Sequence, residues 1–190
     1  MSSSKLLKER FDANSNLFNN FNNTQFQKFD ELCSKIIETF GNKKKLLIYG
    51  NGGSAADSIH FTGELVGKFK KKRDPLAAIC LNTNIAVISS IGNDMNFNQI
   101  FLRQLKAIYQ KGDLVIAFST SGNSDNIYKS VKYLNEIKAN HFIFTGLKGG
   151  KLSKISNNLI KVPSSKVDQI QEFHYMMMHT ICDYIEQELF

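Results

Sequence analysis

The stretch Ile48-Tyr49-Gly50-Asn51-Gly52-Gly53-Ser54-Ala55-Ala56-Asp57-Ser58-Ile59-His60 restricts the architecture of this chain more than any other. The apolar run Lys45–Tyr49 before the glycines reads as a short buried strand. Gly50, Gly52 and Gly53 permit a tight turn with positive φ and a close backbone approach to a ligand. Ser54-Ala55-Ala56-Asp57 then reads as a helix start, with Ser54 the expected N-cap. Strand, glycine turn and helix N-terminus together outline an anion site, because first-turn N–H groups are unpaired and the helix dipole favours a phosphate. The loop is neither a Walker A loop nor a Gly-x-Gly-x-x-Gly fingerprint. Its plain alternative is a helix-capping turn.

The rest of the chain repeats the alternation. Further strand candidates are Ala77–Leu81, Leu114–Ser119, His141–Thr145 and Leu159–Val162. Helical stretches lie between them at Ala55–Phe69, Ile85–Ile91, Phe97–Tyr109, Asp125–Ile137 and Lys151–Ser156, and a last helix runs from about Val167 to Leu189. Short, fully apolar strands alternating with helices predict a parallel sheet covered on both faces. The expected architecture is a three-layer α/β sandwich around a five-stranded parallel sheet, flavodoxin-like, in one domain spanning 1–190. Ligands bind such folds beyond the carboxyl ends of the strands. Residues 5–40 form an N-terminal helical arm, with Phe26, Phe29, Cys33, Ile36, Ile37 and Phe40 on one face. The Asn-rich interval Asn14–Asn23 is expected to bend or break that arm, and its apolar character points to a partner subunit.

Composition narrows the function classes. No stretch approaches the ~20 apolar residues of a membrane helix, and the N-terminal residues lack a signal-peptide core; a cytoplasmic protein without a membrane role is expected. Cys33, Cys80 and Cys182 are far apart and outside any Cys-x-x-Cys, so they read as reduced, buried thiols. The net charge is +7, yet only three of the 24 basic residues are arginine, the usual base reader. The densest basic run, Lys68–Arg73, falls where a helix should end, a favourable place for cations. Nucleic acid is therefore not the expected partner, and an anionic substrate suits the charge equally well.

Two more groups carry chemistry. Ser119-Thr120-Ser121-Gly122-Asn123-Ser124 follows the third strand and offers hydroxyls and free N–H groups to a phosphate; the plain alternative is a polar loop with Ser124 as N-cap. His60 and Glu64 lie four apart on one helix face, and Gln171 and His179 lie two turns apart on the last helix. Such a group suits either a divalent metal bound through N and O ligands or an acid–base pair for proton transfer; spacing does not choose. Asn93-Asp94 reads as a turn that could reach sugar hydroxyls, and Asp168 as a first-turn carboxylate of the last helix.

Taken together, Gly50–Asp57, His60-x-x-x-Glu64, Gly92-Asn93-Asp94, Ser119–Ser124, Thr145-Gly146 with Gly149-Gly150, and Ile170-Gln171-Glu172 with His174 and His179 resemble the phosphoheptose isomerases of the sugar isomerase (SIS) superfamily. The resemblance spans about residues 45–189. It implies a homotetramer with active sites at subunit interfaces, and conversion of sedoheptulose 7-phosphate to D-glycero-D-manno-heptose 7-phosphate through an enediol, for lipopolysaccharide or capsule. By resemblance, Ser54, Ser119, Thr120, Ser121 and Ser124 hold the phosphate. Asn51, Gly52, Gly53, Asn93, Asp94, Asp168 and Gln171 contact substrate. Glu64 is the base and also meets the substrate, and His179 is the acid. His60, Glu64, Gln171 and His179 match ligands of one Zn²⁺ per subunit. Lys68 stands where arginine is expected, Asn84 where aspartate is common and Gln169 where arginine is common. Two rivals are a non-catalytic SIS adaptor that binds a replication initiator and an isomerase of another phosphosugar.

Overall fold

A computed structural model describes residues 2–190. Its centre is a parallel sheet of β1 (Leu46–Gly50), β2 (Ala78–Cys80), β3 (Leu114–Ser119), β4 (Asn140–Gly146) and β5 (Leu159–Val162), in the order β2-β1-β3-β4-β5. The expected five-stranded, flavodoxin-like sandwich is therefore present. β1 and β3 are buried along their whole lengths, which is why both read as unbroken apolar runs rather than alternating ones.

Alternate residues of each strand feed two cores. Leu46, Ile48, Ile116, Phe118 and Phe144 pack beneath α2 (Asn23–Gly41), α3 (Gly53–Val66) and α7 (Val167–Leu189). On the opposite face, Leu47, Tyr49, Val115 and Ile143 pack beneath α5 (Ile100–Ile108) and α6 (Asp125–Glu136). Strand order reverses between β1 and β3, whose neighbours lie on opposite sides, so a crevice opens at their carboxyl ends.

The N-terminal arm breaks where the asparagines predict. α1 (Ser3–Asn19) stops, and Asn22 caps α2 by accepting from the Gln25 amide at 3.1 Å. α1 has no buried residue and leaves Leu6, Leu7 and Phe11 exposed. Cys33, Cys80 and Cys182 are free and buried, as expected. Among the described residues no helix is long and apolar enough to cross a membrane.

Several boundaries differ from expectation. Gly52, at φ 55°, is the N-cap of α3, and no side chain caps that helix. Ser54 lies instead one residue inside the helix, buried, because the left-handed residue that turns the chain must come first. Asn93 and Asp94 close α4 (Ile85–Asp94) and are not a turn. The stretch after Gly149 makes only a 3₁₀ turn, Gly150–Lys154, rather than a helix from Lys151 to Ser156. α3 ends at Val66, three residues before the expected Phe69, because Gly67 cannot sustain it.

Candidate active site

The crevice is built first from backbone. Gly50 must be glycine, since a Cβ there would lie 2.6 Å from the Ser54 carbonyl oxygen. Asn82 donates to the Gly50 carbonyl at 2.8 Å and accepts its amide at 3.1 Å, extending the sheet's hydrogen bonding past the end of β2. Asn51 and Asn126 exchange reciprocal amide bonds of 2.8 and 2.9 Å. That pair ties the loop after β1 to the first turn of α6 across the point where strand order reverses.

The hydroxyl-rich loop after β3 is stitched to the loop after β4. Gly146 donates to the Thr120 carbonyl at 2.9 Å, and Leu152 to that of Gly122 at 3.1 Å. Gly122, at φ 65°, sits so close to Gly149 that a Cβ would come within 2.1 Å of its carbonyl oxygen. Ser119 is buried and donates to Ser124 at 3.5 Å, while Ser121 accepts the Asn123 amide at 3.1 Å. Ser124 is the N-cap of α6, but its side chain makes no capping bond. Thr120 and Ser121 face Lys148, Ser164 and Ser165 across a cleft of about 140 Å³ that Val167, at the start of α7, also lines. The start of α7 and Lys148 suit an anion there, while Leu147, Val167 and Ile170 add apolar lining.

The second half of the site lies between α3 and α7, which run side by side in the same direction. At their N-terminal ends Gln171 rests on Gly53, where a Cβ would lie 2.1 Å from its Nε2. About 10 Å further along α3, His60 Nε2 and His179 Nε2 approach to 3.1 Å, and His60 Nε2 is 3.4 Å from Glu64 Oε1. All three residues are half-buried, and their ligand atoms lie within 4.8 Å of one another. Tyr175 OH bonds His60 Nε2 at 3.1 Å, and Phe69 stacks on the His179 ring with centroids 5.3 Å apart.

Two imidazole nitrogens and a carboxylate oxygen converging in this way fit a divalent ion. The two spacings from His60, 3.1 and 3.4 Å, are close to those between neighbouring ligands on a tetrahedral ion with Zn–N bonds of about 2.0–2.1 Å. His60, Glu64 and His179 would hold it. Gln171, the expected fourth ligand, is placed against Gly53.

The remaining expected residues are more scattered. Asn93 and Asp94 are exposed and bond each other at 2.8 Å. Asp168 is paired with Arg10 of α1, which also bonds Glu172. The Gln169 amide, with Arg10, holds the Asp168 carboxyl below its ordinary value. Asp57, within the glycine-loop motif, has a buried and unpartnered Oδ2, and burial raises it to about 6. His174 is fully buried with neither ring nitrogen bonded, and burial lowers it to about 3.

Tyr175, Phe69 and Asn126 were not singled out from sequence. Tyr175 carried a usable signal, standing four residues from both Gln171 and His179 on one helix stripe. Phe69 and Asn126 reach their partners only through tertiary folding.

The SIS domain family model matches residues 11–145. A phosphoheptose isomerase of Aquifex aeolicus is 40% identical over 161 residues, which cover 85% of this chain and 84% of that one. One from Trichlorobacter lovleyi is 43% identical over 160 residues, 84% of this chain and 82% of that one. The solved structure of a phosphoheptose isomerase from Francisella tularensis superposes with a TM-score of 0.92 at 30% identity, covering 99% of this chain and 100% of that one.

Proposed function

This chain belongs to the phosphoheptose isomerases of the SIS-domain family, and from that premise we propose that it converts sedoheptulose 7-phosphate to D-glycero-D-manno-heptose 7-phosphate. The observation that carries the reading is the convergence of Glu64 and His179 from two helices; a separate cleft at the start of α7, lined by Thr120, Ser121 and Lys148, supports it as a place for the phosphate.

Aldose–ketose exchange needs a base at the carbon acid, a proton donor at the carbonyl oxygen and a remote handle. Ser119, Thr120, Ser121 and Ser124, with Ser54 at the start of α3, hold the phosphate. Binding energy spent there positions the reacting end without taking part in the chemistry. Asn51, Gly52, Gly53, Gln171, Asp168, Asn93 and Asp94 contact the sugar. Glu64 takes a proton from C1 of the ketose while His179 protonates the carbonyl oxygen on C2, giving an enediol. Glu64 then returns the proton to C2 while His179 takes the O1 proton, which leaves the aldehyde at C1 and restores both groups. No electrons leave the sugar, so no redox cofactor is required. A divalent ion such as Zn²⁺, when bound by His60, Glu64 and His179 with Gln171 turned toward it, supplies Lewis-acid polarisation of the sugar oxygens.

On this reading the enzyme works in the cytoplasm as one subunit of a homotetramer, with active sites at the interfaces, and supplies heptose for lipopolysaccharide or capsule. The exposed apolar residues of α1 support the oligomer. The test is incubation with sedoheptulose 7-phosphate, with added zinc and with chelator, followed by NMR of the sugar. The aldose product is expected, faster with zinc than with chelator. No product under any condition overturns the substrate assignment, and equal rates overturn the metal.

A further inference from the structure

Beyond the convergent histidines, the segment that follows α3 meets α7 at a buried ion pair. Arg73 Nε donates to Glu186 Oε1 at 2.9 Å, with side chains 1% and 3% exposed. The same carboxylate accepts the amides of Phe69, Lys70 and Lys71 at 3.1, 2.9 and 2.8 Å. The other guanidinium nitrogens donate to the carbonyls of Glu64 at 2.8 Å and Leu65 at 2.9 Å, two of the open acceptors at the end of α3. Burial works against a charged Glu186, yet the amides of Lys71, Lys70 and Phe69, with Arg73, outweigh it and hold the carboxyl at about 2.

A buried ion pair is a poor source of net stability, since apolar residues of the same volume often serve as well. What this one adds is geometry. Arg73 grips the backbone of Glu64. Glu186 grips the amide of Phe69, whose ring lies on His179. Glu186 also stands seven residues after His179 and so shares its face of α7.

We propose that Arg73 and Glu186 are positioning residues of the isomerisation, clasping segment 67–74 and the end of α3 to α7 so that Glu64 and His179 keep their mutual placement. This rests on the isomerase reading for the roles of Glu64 and His179. Misplacement by about 1 Å costs roughly a hundredfold in rate, and the hydroxyl-rich loop 119–124 lies on another element. Arg73→Lys keeps the charge but loses the fork that reaches both Glu186 and the carbonyls. Glu186→Gln keeps the shape and loses the charge.

In both variants kcat is expected to fall about 10- to 100-fold with KM for sedoheptulose 7-phosphate unchanged, and the His179 imidazole resonances are expected to shift in ¹H–¹⁵N spectra. Wild-type kcat, or unmoved His179 resonances in either folded variant, overturns the proposal. Should both variants fail to fold, Glu186→Asp decides, because it keeps the charge and shortens the reach to Arg73 and the amides: a lower kcat with shifted His179 resonances supports the clasp, and unchanged values overturn it. If the wild-type protein itself does not turn over sedoheptulose 7-phosphate, the isomerase reading falls, and the His179 resonances still judge the clasp.

Discussion

Glu64 sits one helical turn from His60 and faces His179 across a helix boundary, and on the isomerase proposal its carboxylate serves as the base. Glu64→Gln keeps its volume and removes the base. Turnover is expected to fall by about 10²–10⁴, while calorimetry still detects sugar phosphate binding; retained turnover would show that another group takes the proton. His174, one turn before Met178 on the same helix, is instead a silent imidazole, sealed among Phe118 and Phe144. Its proton affinity is depressed in the folded state, to about 3 from 6.5. The unfolded chain therefore binds a proton that the native state refuses, and stability drops as pH falls from 6.5 toward 3. The slope from this one group is about 1.4 kcal/mol per pH unit. His174→Phe should flatten that part of the profile in urea titrations at several pH values; an unaltered slope would exclude His174 as its source.

At the scale of elements, the contact between Gln171 and Gly53 separates two effects that are usually entangled. An alanine Cβ at Gly53 would strike the far end of the Gln171 side chain, which can swing away, rather than backbone. Gly53→Ala should therefore leave the melting temperature unchanged or slightly raised, since alanine is the better helix former by up to about 1 kcal/mol. Turnover should fall at least tenfold as Gln171 is displaced, and a variant with full activity would show that Gln171 has no part in the site. The elements themselves were mostly legible in the sequence. Ile48-Tyr49 and Val115-Ile116 belong to apolar runs that only a doubly covered strand requires, and the Asn-rich interval Asn14–Asn23 announced the break between α1 and α2. The hydroxyl loop and the His60/Glu64 pair were legible for the same reason, being local patterns on one loop and one helix face. Ends were harder to read. A serine before an apolar helix signals a cap, but here Gly52, two residues before Ser54, takes that place. Arg73 read only as part of a basic run at a helix end. Its carbonyl bonds bear out that reading, while Glu186 stands 113 residues away and leaves no periodic trace.

For the whole molecule, the buried Glu186 carboxylate is a source of acid sensitivity. Its folded value of about 2 lies below the ordinary 4.5, so the stability it contributes is complete above pH 4.5 and is lost as pH falls toward 2. Glu186→Gln should be less stable than wild type at neutral pH, with the difference narrowing below pH 4.5 in thermal unfolding. A constant difference across that range would mean the carboxylate's charge does not set it. A metal held by His60, Glu64 and His179 acts in the same cooperative unit: zinc at a hundred times its dissociation constant should stabilise the fold by about 2.7 kcal/mol. His60→Ala should abolish that gain, as scanning calorimetry can check.

Where α3 meets α7, the contacts join positions 119 residues apart at the histidines and 117 apart at the Phe69 amide. On the ribosome, Glu64 is made early and waits through β2, β3, β4 and β5 with no partner for its chemistry. A nascent chain can pair most of its sheet before residue 167 exists, and on the isomerase proposal it then carries the phosphate loop but not the proton donor. On that proposal catalytic competence arrives in one late step, when α7 docks, and a chain that ends before it is expected to bind sugar phosphate without transforming it.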